Sequence, residues 1–153
     1  VADWWSQWPT ANIGTVTGMV SRLAGLDIDP RNGGLETLAD LDAVGAVMPD
    51  TNPLAISGSG GLHHYFRLTE PLAKSAPFEG IELQADGAYL VAPPSLHHSG
   101  RRYTWARDLS HPLPPLPEWL RWAAEQSAAG GTASVSAGGV QLWTSCCRSR
   151  HQA

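Results

Sequence analysis

An apolar strand that ends in two acidic residues constrains this chain more than any other feature. In the segment 25–30 (GLDIDP), Asp27 and Asp29 are two positions apart. On a strand they therefore share one face, while Ile28 points to the other, toward the core. Two neighbouring carboxylates repel each other unless a cation lies between them, and a hard divalent cation with oxygen ligands suits that position. Taken alone, the pair is equally consistent with a solvated strand end or turn.

The composition is that of a globular protein with a single core. The 153 residues are 42% hydrophobic and 16% charged, and the formal net charge is −4. An acidic chain does not hold nucleic acid through its overall charge, so such binding needs a local basic patch. Arg101, Arg102 and Arg107 form the basic cluster in the body of the chain, which suits a template or a triphosphate and equally a solvated loop. No signal peptide and no apolar run of about 18 residues is present, which predicts an intracellular protein.

Short strand-like segments outnumber helical ones. Leucines at near-helical spacing predict a helix from about residue 35 to 47, and Pro117 opens a second helix that runs to about residue 126. Strands are expected at 12–18, 23–29, 54–57, 62–68, 79–83, 89–92 and 103–105. This pattern predicts the α+β (mixed α/β) class.

Three tryptophans precede the first predicted strand. Trp4 and Trp8 are four positions apart, with Trp5 between them, so Trp4 and Trp8 share one face of a helix. An aromatic face packed on the core is the ordinary interpretation. The alternative is an exposed surface on which nucleic-acid bases stack.

A Gly/Ser-rich turn at 57–61 leads into an alternating strand, on which His63 and His64 face opposite sides. A third acidic residue, Glu82, lies on a later strand and faces away from its apolar neighbours. Each feature has an ordinary explanation: a hairpin turn, a structural histidine and a solvent-facing carboxylate. Together they match the needs of phosphoryl transfer, because three carboxylates can hold two cations and glycine N–H groups can approach phosphate oxygens.

Five short segments follow one another in a recognisable order. They are WPxANIG at 8–14, LDIDPxxGG at 26–34, SGSGGxHxYF at 57–66, GIEL at 80–83 and VAPPSxHxSGxxYxW at 91–105. In this order they closely resemble the bifunctional DNA primase/polymerase domain, which is the prim-pol branch of the archaeo-eukaryotic primase superfamily. The resemblance extends over roughly residues 4–125, and five pieces in the family's order make a chance match improbable.

The resemblance implies a role for each matching residue. Asp27, Asp29 and Glu82 correspond to the acidic residues that hold two divalent ions, Mg²⁺ or Mn²⁺. His63 corresponds to the histidine that contacts the phosphates of the incoming nucleoside triphosphate. The other nucleotide-binding positions are Ser59, Gly60 and Gly61 in the loop and Ser95 and His97 beside the site. The family fold is a mixed core with an RRM-like antiparallel or mixed sheet flanked by helices, and one face of that sheet carries the metals.

Three departures from the family pattern bear on this chain. Glu82 stands where this branch usually has Asp, but its carboxylate is also an oxygen ligand, so we expect activity to survive. His64 replaces an apolar residue and must be neutral and hydrogen-bonded on the core face, or lie near the sheet edge. The resemblance begins at about Trp4, and we expect the family's preceding segment to be missing here. We therefore expect an N-terminally truncated catalytic domain at 1–126, then an Ala/Gly/Ser-rich linker and flexible tail at 127–153.

These features predict a DNA-templated nucleotidyltransferase, a primase and DNA polymerase of a phage, plasmid or integrated-element replication protein. A 3′-hydroxyl would attack the α-phosphate of the incoming nucleotide with the help of two metal ions. The expected partners are a single-stranded DNA template, a primer, nucleotides and a helicase domain or subunit, in the cytoplasm and without a membrane. Two alternatives remain: a catalytically impaired nucleotide- or DNA-binding module, and a metal-dependent phosphodiesterase that uses the same carboxylates.

Overall fold

The computed structural model describes residues 2–110, 113–136 and 139–143. The helices in these ranges are α1 (Ala2–Gln7), α2 (Gly34–Ala43) and α3 (Glu118–Ala128), with one 3₁₀ turn at Pro30–Asn32. The strands are β1 (Ile13–Val16), β2 (Leu23–Ile28), β3 (Leu54–Ile56), β4 (Leu62–Arg67), β5 (Ser75–Phe78), β6 (Ile81–Gln84), β7 (Tyr89–Ala92), β8 (Thr104–Arg107), β9 (Thr132–Ser136) and β10 (Gly139–Trp143). None of the described helices is both long and apolar enough to cross a membrane.

Six strands form an antiparallel sheet in the order β5-β6-β2-β4-β3-β8. Strand β2 lies inside this sheet, with β4 on one side and β6 on the other. Five of its six residues are buried, which suits an apolar strand that is covered on both faces. Two separate antiparallel ribbons pair β1 with β7 and β9 with β10.

One face of the six-stranded sheet packs against α2 and α3 and forms the main core. Leu26 and Ile28 of β2, Phe66 of β4 and Leu83 of β6 are fully buried on this face together with Leu120 of α3. Burying each such side chain stabilises the fold by about 1.5–3 kcal/mol relative to leaving it exposed. This layer therefore fixes the register of the inner strands.

The opposite face of the sheet is covered only in part, by the β1–β7 ribbon. Leu90 of β7 lies directly over Gly25 of β2, where a Cβ atom would overlap the Leu90 side chain. Glycine thus permits this close approach, and a larger residue at position 25 would have to displace the Leu90 side chain. Tyr65 is buried beside Leu90, and the ring of Trp105 packs on it with centroids 5.4 Å apart. Toward β6 this face is accessible, since Glu82 is exposed.

The α+β class, the antiparallel sheet and the seven predicted strands are confirmed. The helix that Pro117 opens is also present, as α3, although it continues two residues farther.

The helix predicted to reach about residue 47 ends at Ala43 instead. Gly45 takes a left-handed φ of 83°, and its N–H donates to the carbonyl of Asp42 (3.0 Å). A glycine in this conformation closes the helix before the downstream prolines can.

The expectation that the N-terminal tryptophans pack on the core is wrong. All six residues of α1 are exposed, and so is Trp8. The reason is the position of this segment. The side chain of Asn12 donates to the backbone carbonyl of Leu96 (2.9 Å) and accepts from its N–H (2.8 Å). These bonds hold α1 against the loop after β7, away from the core face that α2 and α3 already cover.

Residues 127–153 have a linker-like composition, yet regular structure extends into them. Helix α3 continues to Ala128, β9 pairs with β10 as an antiparallel hairpin, and β9 lies beside α3 and β5. Thr132, Val135, Val140 and Trp143 are residues of types that favour strands, despite the many small residues of this segment. The predicted tail beyond residue 143 lies outside the described residues, and the division into a catalytic domain and a linker stays a prediction.

Candidate functional site

The register of the sheet brings three predicted site residues into one row. Asp27 on β2 lies directly opposite His63 on β4 and Glu82 on β6. Residues opposed in this way have Cβ atoms about 4.5–5.5 Å apart. The three side chains share the face away from the main core, because the alternate residue Ile28 points into that core. We call Asp27, His63 and Glu82 the site row.

His63 is oriented by contacts on both sides of its ring. Its Nδ1 donates to the carbonyl oxygen of Val91 (3.2 Å), and its Nε2 lies 3.4 Å from Oδ1 of Asp27. The residue is only 5% exposed, and the ring of Tyr103 packs on it with centroids 5.5 Å apart. Because both ring nitrogens face oxygen atoms, the fold holds this imidazole with a hydrogen-bonding edge toward the acids.

Glu82 has two partners, one on its own strand and one just before the neighbouring strand β5. Its Oε2 lies 3.4 Å from Nζ of Lys74 and accepts a hydrogen bond from Nε2 of Gln84 (3.0 Å). Asp27 and Glu82 carry the same charge at directly opposed positions, an arrangement that destabilises a sheet. Lys74 beside Glu82 is positioned to offset that repulsion.

Asp29 follows β2 and caps the 3₁₀ turn. Its carboxylate accepts from the backbone N–H of Arg31 (2.9 Å), from Nε and Nη2 of the same residue (both 3.1 Å), and from Nδ2 of Asn32 (2.9 Å). The Arg31 guanidinium therefore holds the pKa of Asp29 below its usual range. The backbone N–H of Asp29 donates to the carbonyl of Gly80 (2.8 Å), which fixes this end of β2 beside the turn into β6.

Two adjoining cavities meet at Asp27. One, of about 280 Å³, is lined by Asp27, Asp29 and Glu82 together with residues of β5 and its turn into β6. The other, of about 340 Å³, is lined by Asp27, His63, Lys74, Gln84, Tyr103 and residues 87–91. Within the described ranges, no group of three or more His, Cys, Asp or Glu side chains is close enough together to hold a metal ion. The three acids thus share one cavity without converging on one point, and two of them, Asp29 and Glu82, lie beside the cationic side chains of Arg31 and Lys74.

The Gly/Ser turn closes the hairpin between β3 and β4. The N–H of Gly61 donates to Oγ of Ser57 (2.8 Å), and the hydroxyls of Ser57 and Ser59 lie 3.0 Å apart. Ser59 and Gly60 are exposed at the tip, and Gly60 has a left-handed φ of 90°. The N–H of Gly61 is therefore already used within the turn, whereas the tip is accessible to a ligand.

The two predicted residues of the segment PPSxH lie in different environments. Ser95 is 3% exposed, its hydroxyl accepts from the N–H of Ile13 (2.8 Å), and it lines neither cavity at Asp27. Nδ1 of His97 accepts from the N–H of Ser99 (3.1 Å), and its ring packs edge-on against Tyr103 with centroids 5.7 Å apart. Burial lowers the pKa of His97, which favours the neutral ring near pH 7. Ser95 thus anchors β1, while His97 supports the wall of the second cavity.

The basic cluster of the sequence separates into two places. Arg107 on β8 donates from Nε to the carbonyl of Asn52 (2.8 Å), so its guanidinium is engaged in holding a loop. Arg102 donates to the carbonyl of Pro94 (2.8 Å), and Arg101 is exposed beside it. Among the described residues neither Arg101 nor Arg102 forms a salt bridge with a carboxylate.

Three residues beside the acids are absent from the sequence-based site. Arg31 follows the acidic pair by two positions, and Tyr103 belongs to the motif at 91–105, so a local signal existed for both. Lys74 is the one lysine of the chain, but it reaches Glu82 only through the pairing of β5 with β6. That pairing could not be inferred from spacing along the chain.

Comparison with protein families identifies the family of this chain. The family model described as bifunctional DNA primase/polymerase, N-terminal, matches residues 1–119, which include the site row, both cavities and the Gly/Ser turn. No curated protein and no solved structure matches the sequence. Since the family model covers most of the chain, the protein belongs to the bifunctional DNA primase/polymerase N-terminal family and is a domain of the primase/polymerase nucleotidyltransferase type.

Proposed function

We propose that this chain catalyses DNA-templated nucleotidyl transfer at the site row, with Asp29 at its edge. The observation that carries the proposal is the register of the sheet, which places two acids and a histidine from three separate strands side by side on an accessible face. Opposed like charges reduce the stability of a sheet. Their presence here therefore favours a functional role for Asp27 and Glu82.

The three acids suit hard divalent cations. Carboxylate oxygens are ligands that Mg²⁺ and Mn²⁺ prefer, and all three carboxylates line one cavity. The side chains of Arg31 and Lys74, which now pair with Asp29 and Glu82, are 61% and 53% exposed, so their release costs little. Divalent ions held there would help activate the attacking 3′-hydroxyl and neutralise the triphosphate.

The second cavity suits the phosphates of the incoming nucleotide. Lys74 provides a cation at its wall, and His63, oriented by Val91, offers a hydrogen-bonding edge. Tyr103 closes the cavity on the side of His97. Cations and fixed donors around developing phosphate charge are the main way in which proteins stabilise such a reaction. The exposed tip of the Gly/Ser turn, Ser59 and Gly60, is proposed to contact the same ligand.

DNA and nucleotides are the partners that this family implies. A single-stranded template and a primer are the forms of DNA that templated transfer requires. A helicase domain or subunit of a phage, plasmid or integrated-element replication protein belongs to the same proposal, and it is supported by the family resemblance alone.

Templated primer extension tests the proposed function. The chain is incubated with a primed single strand, one deoxynucleotide at a time, in Mg²⁺ or Mn²⁺. We expect incorporation of the complementary nucleotide, release of pyrophosphate and loss of both when a chelator is added. Binding of DNA and nucleotide without extension would identify a binding module instead. Cut strands or free phosphate would identify a phosphodiesterase.

A further inference from the structure

An exposed aromatic surface lies at α1 and the segment that follows it. Trp4, Trp5 and Trp8 are 67%, 41% and 58% exposed and line one cavity of about 420 Å³. A second cavity of about 410 Å³ adjoins it, shares Trp5 and extends to Arg102. We call Trp4, Trp5, Trp8 and Arg102 the tryptophan surface. Large apolar side chains clustered at a surface mark a site of interaction.

The tryptophan surface is a neighbour of the site row. Asn12 exchanges two hydrogen bonds with the backbone of Leu96, which holds the end of the tryptophan segment against the loop after β7. In that loop Arg102 lines a cavity of the tryptophan surface, and the next residue, Tyr103, lines the cavity that contains Asp27. A flexible strand of nucleic acid can therefore span both places.

The chemistry of this surface favours a polyanion with flat, unpaired bases. The guanidinium of Arg102 is held by one backbone carbonyl and forms no salt bridge within the described part of the chain. Among the residues that line the two cavities, none is acidic. Indole rings stack on bases of any sequence, and an arginine binds phosphate. Duplex DNA keeps its base faces stacked inside, so a single strand is the form that fits.

We propose that the tryptophan surface binds single-stranded nucleic acid, with bases stacked on the indole rings and a backbone phosphate on Arg102. This inference rests on the proposed function, because the bound strand is the template on its way to or from the site row. It adds to that function a place where the template is held through its bases and independently of its sequence.

Oligonucleotide binding without metal or nucleotide tests this inference. Fluorescence anisotropy of labelled oligo(dT) is titrated with the wild type and with the double variant Trp4→Ala/Trp8→Ala, whose fold is checked by circular dichroism. We expect about tenfold weaker binding or more in the double variant. The matched control is Trp122→Ala, since Trp122 is 42% exposed on α3, behind the core face, and its loss should leave affinity unchanged.

A salt titration isolates the phosphate contact. Arg102→Gln should weaken binding and reduce the slope of log affinity against log salt by about one. Equal affinity of the wild type and the tryptophan double variant, or no binding by the wild type, overturns the inference. The inference is also overturned if the wild type forms a dimer, the double variant does not, and the two bind the oligonucleotide with equal affinity. That result would assign the surface to contact with a second copy of the chain.

Primer extension measured in parallel separates this inference from the proposed function. Absent extension together with tryptophan-dependent binding counts against catalysis and supports the binding surface. Extension by the wild type, with oligonucleotide affinity unaffected by loss of the two tryptophans, supports catalysis and overturns the binding surface.

Discussion

At the scale of single residues, two demands compete for the carboxylate of Asp29. It caps the 3₁₀ turn and accepts two hydrogen bonds from the guanidinium of Arg31, and it is a proposed metal ligand. A cation gains full access to its oxygens only when Arg31 withdraws. An exposed ion pair contributes little to stability, so the competition lowers metal affinity modestly without preventing binding.

Removing the guanidinium should therefore tighten metal binding. We expect Arg31→Gln to bind Mn²⁺ about two- to fivefold more tightly than the wild type, as measured by electron paramagnetic resonance of free Mn²⁺. Arg121→Gln is the matched control, because Arg121 is also ion-paired, with Glu70 and Glu125, but lies on α3. Weaker binding in Arg31→Gln would instead mean that Arg31 positions Asp29 for the metal.

His64 is a polar residue on the core face of the sheet. Its Nδ1 accepts a hydrogen bond from the side-chain amide of Asn52 (2.9 Å), and burial lowers its pKa from 6.5 to about 4. The expectation from the sequence that this histidine is neutral and hydrogen-bonded is met in part, because the lowered pKa favours the neutral ring and Nδ1 is hydrogen-bonded, whereas Nε2 is buried without a partner among the described residues. The alternation of side chains along β4 predicted that His64 lies on the core face of the sheet. Its partner Asn52 belongs to a loop whose position could not be predicted from spacing along the chain.

The lowered pKa of His64 makes the free energy of unfolding depend on pH. The unfolded chain binds a proton at His64 near pH 6.5 but the folded chain only near pH 4, so stability that is complete above pH 6.5 is lost as the pH falls toward 4. The loss reaches at most about 3 kcal/mol. In urea unfolding between pH 7 and 4.5, His64→Gln should lose less free energy of unfolding than the wild type. Parallel pH profiles would contradict this assignment.

At the scale of elements, alternation predicted which residues of a strand share a face but not which strands are neighbours. The site row exists because β2 lies between β4 and β6, two strands that are separated from it by long stretches of chain. The identities of Asp27, His63 and Glu82 could be predicted from the sequence through the family resemblance. Their contacts, and the presence of Lys74, depend on this strand order and could not.

The close approach of the β1–β7 ribbon to β2 predicts that a larger residue at position 25 destabilises the fold. Gly25→Ala should reduce the free energy of unfolding by about 1–3 kcal/mol, because the added Cβ atom meets Leu90. Urea denaturation measures the effect. In a double-mutant cycle, Leu90→Ala should cost less in the Gly25→Ala background than in the wild type, since it makes room for the new methyl group. Additive effects would show that Leu90 is not the obstacle.

At the scale of the whole molecule, the sheet separates stability from proposed function. One face carries the packed core under α2 and α3, and the other carries the site row and, beyond the β1–β7 ribbon, the tryptophan surface. Strand periodicity was sufficient to predict the α+β class. It could not predict that α1 stays exposed or that β9 and β10 pair, because both depend on where connecting segments dock.

The most direct test of the site row is the rate of single-nucleotide incorporation in Asp27→Asn. Asparagine keeps the size of the side chain and removes its charge. Asp42→Asn is the matched control, because Asp42 is exposed on α2, behind the core face. With both variants shown by circular dichroism to be folded, we expect a loss of about 100-fold or more for Asp27→Asn and a change within about twofold for Asp42→Asn. Incorporation by Asp27→Asn at the wild-type rate would contradict the proposed role of Asp27.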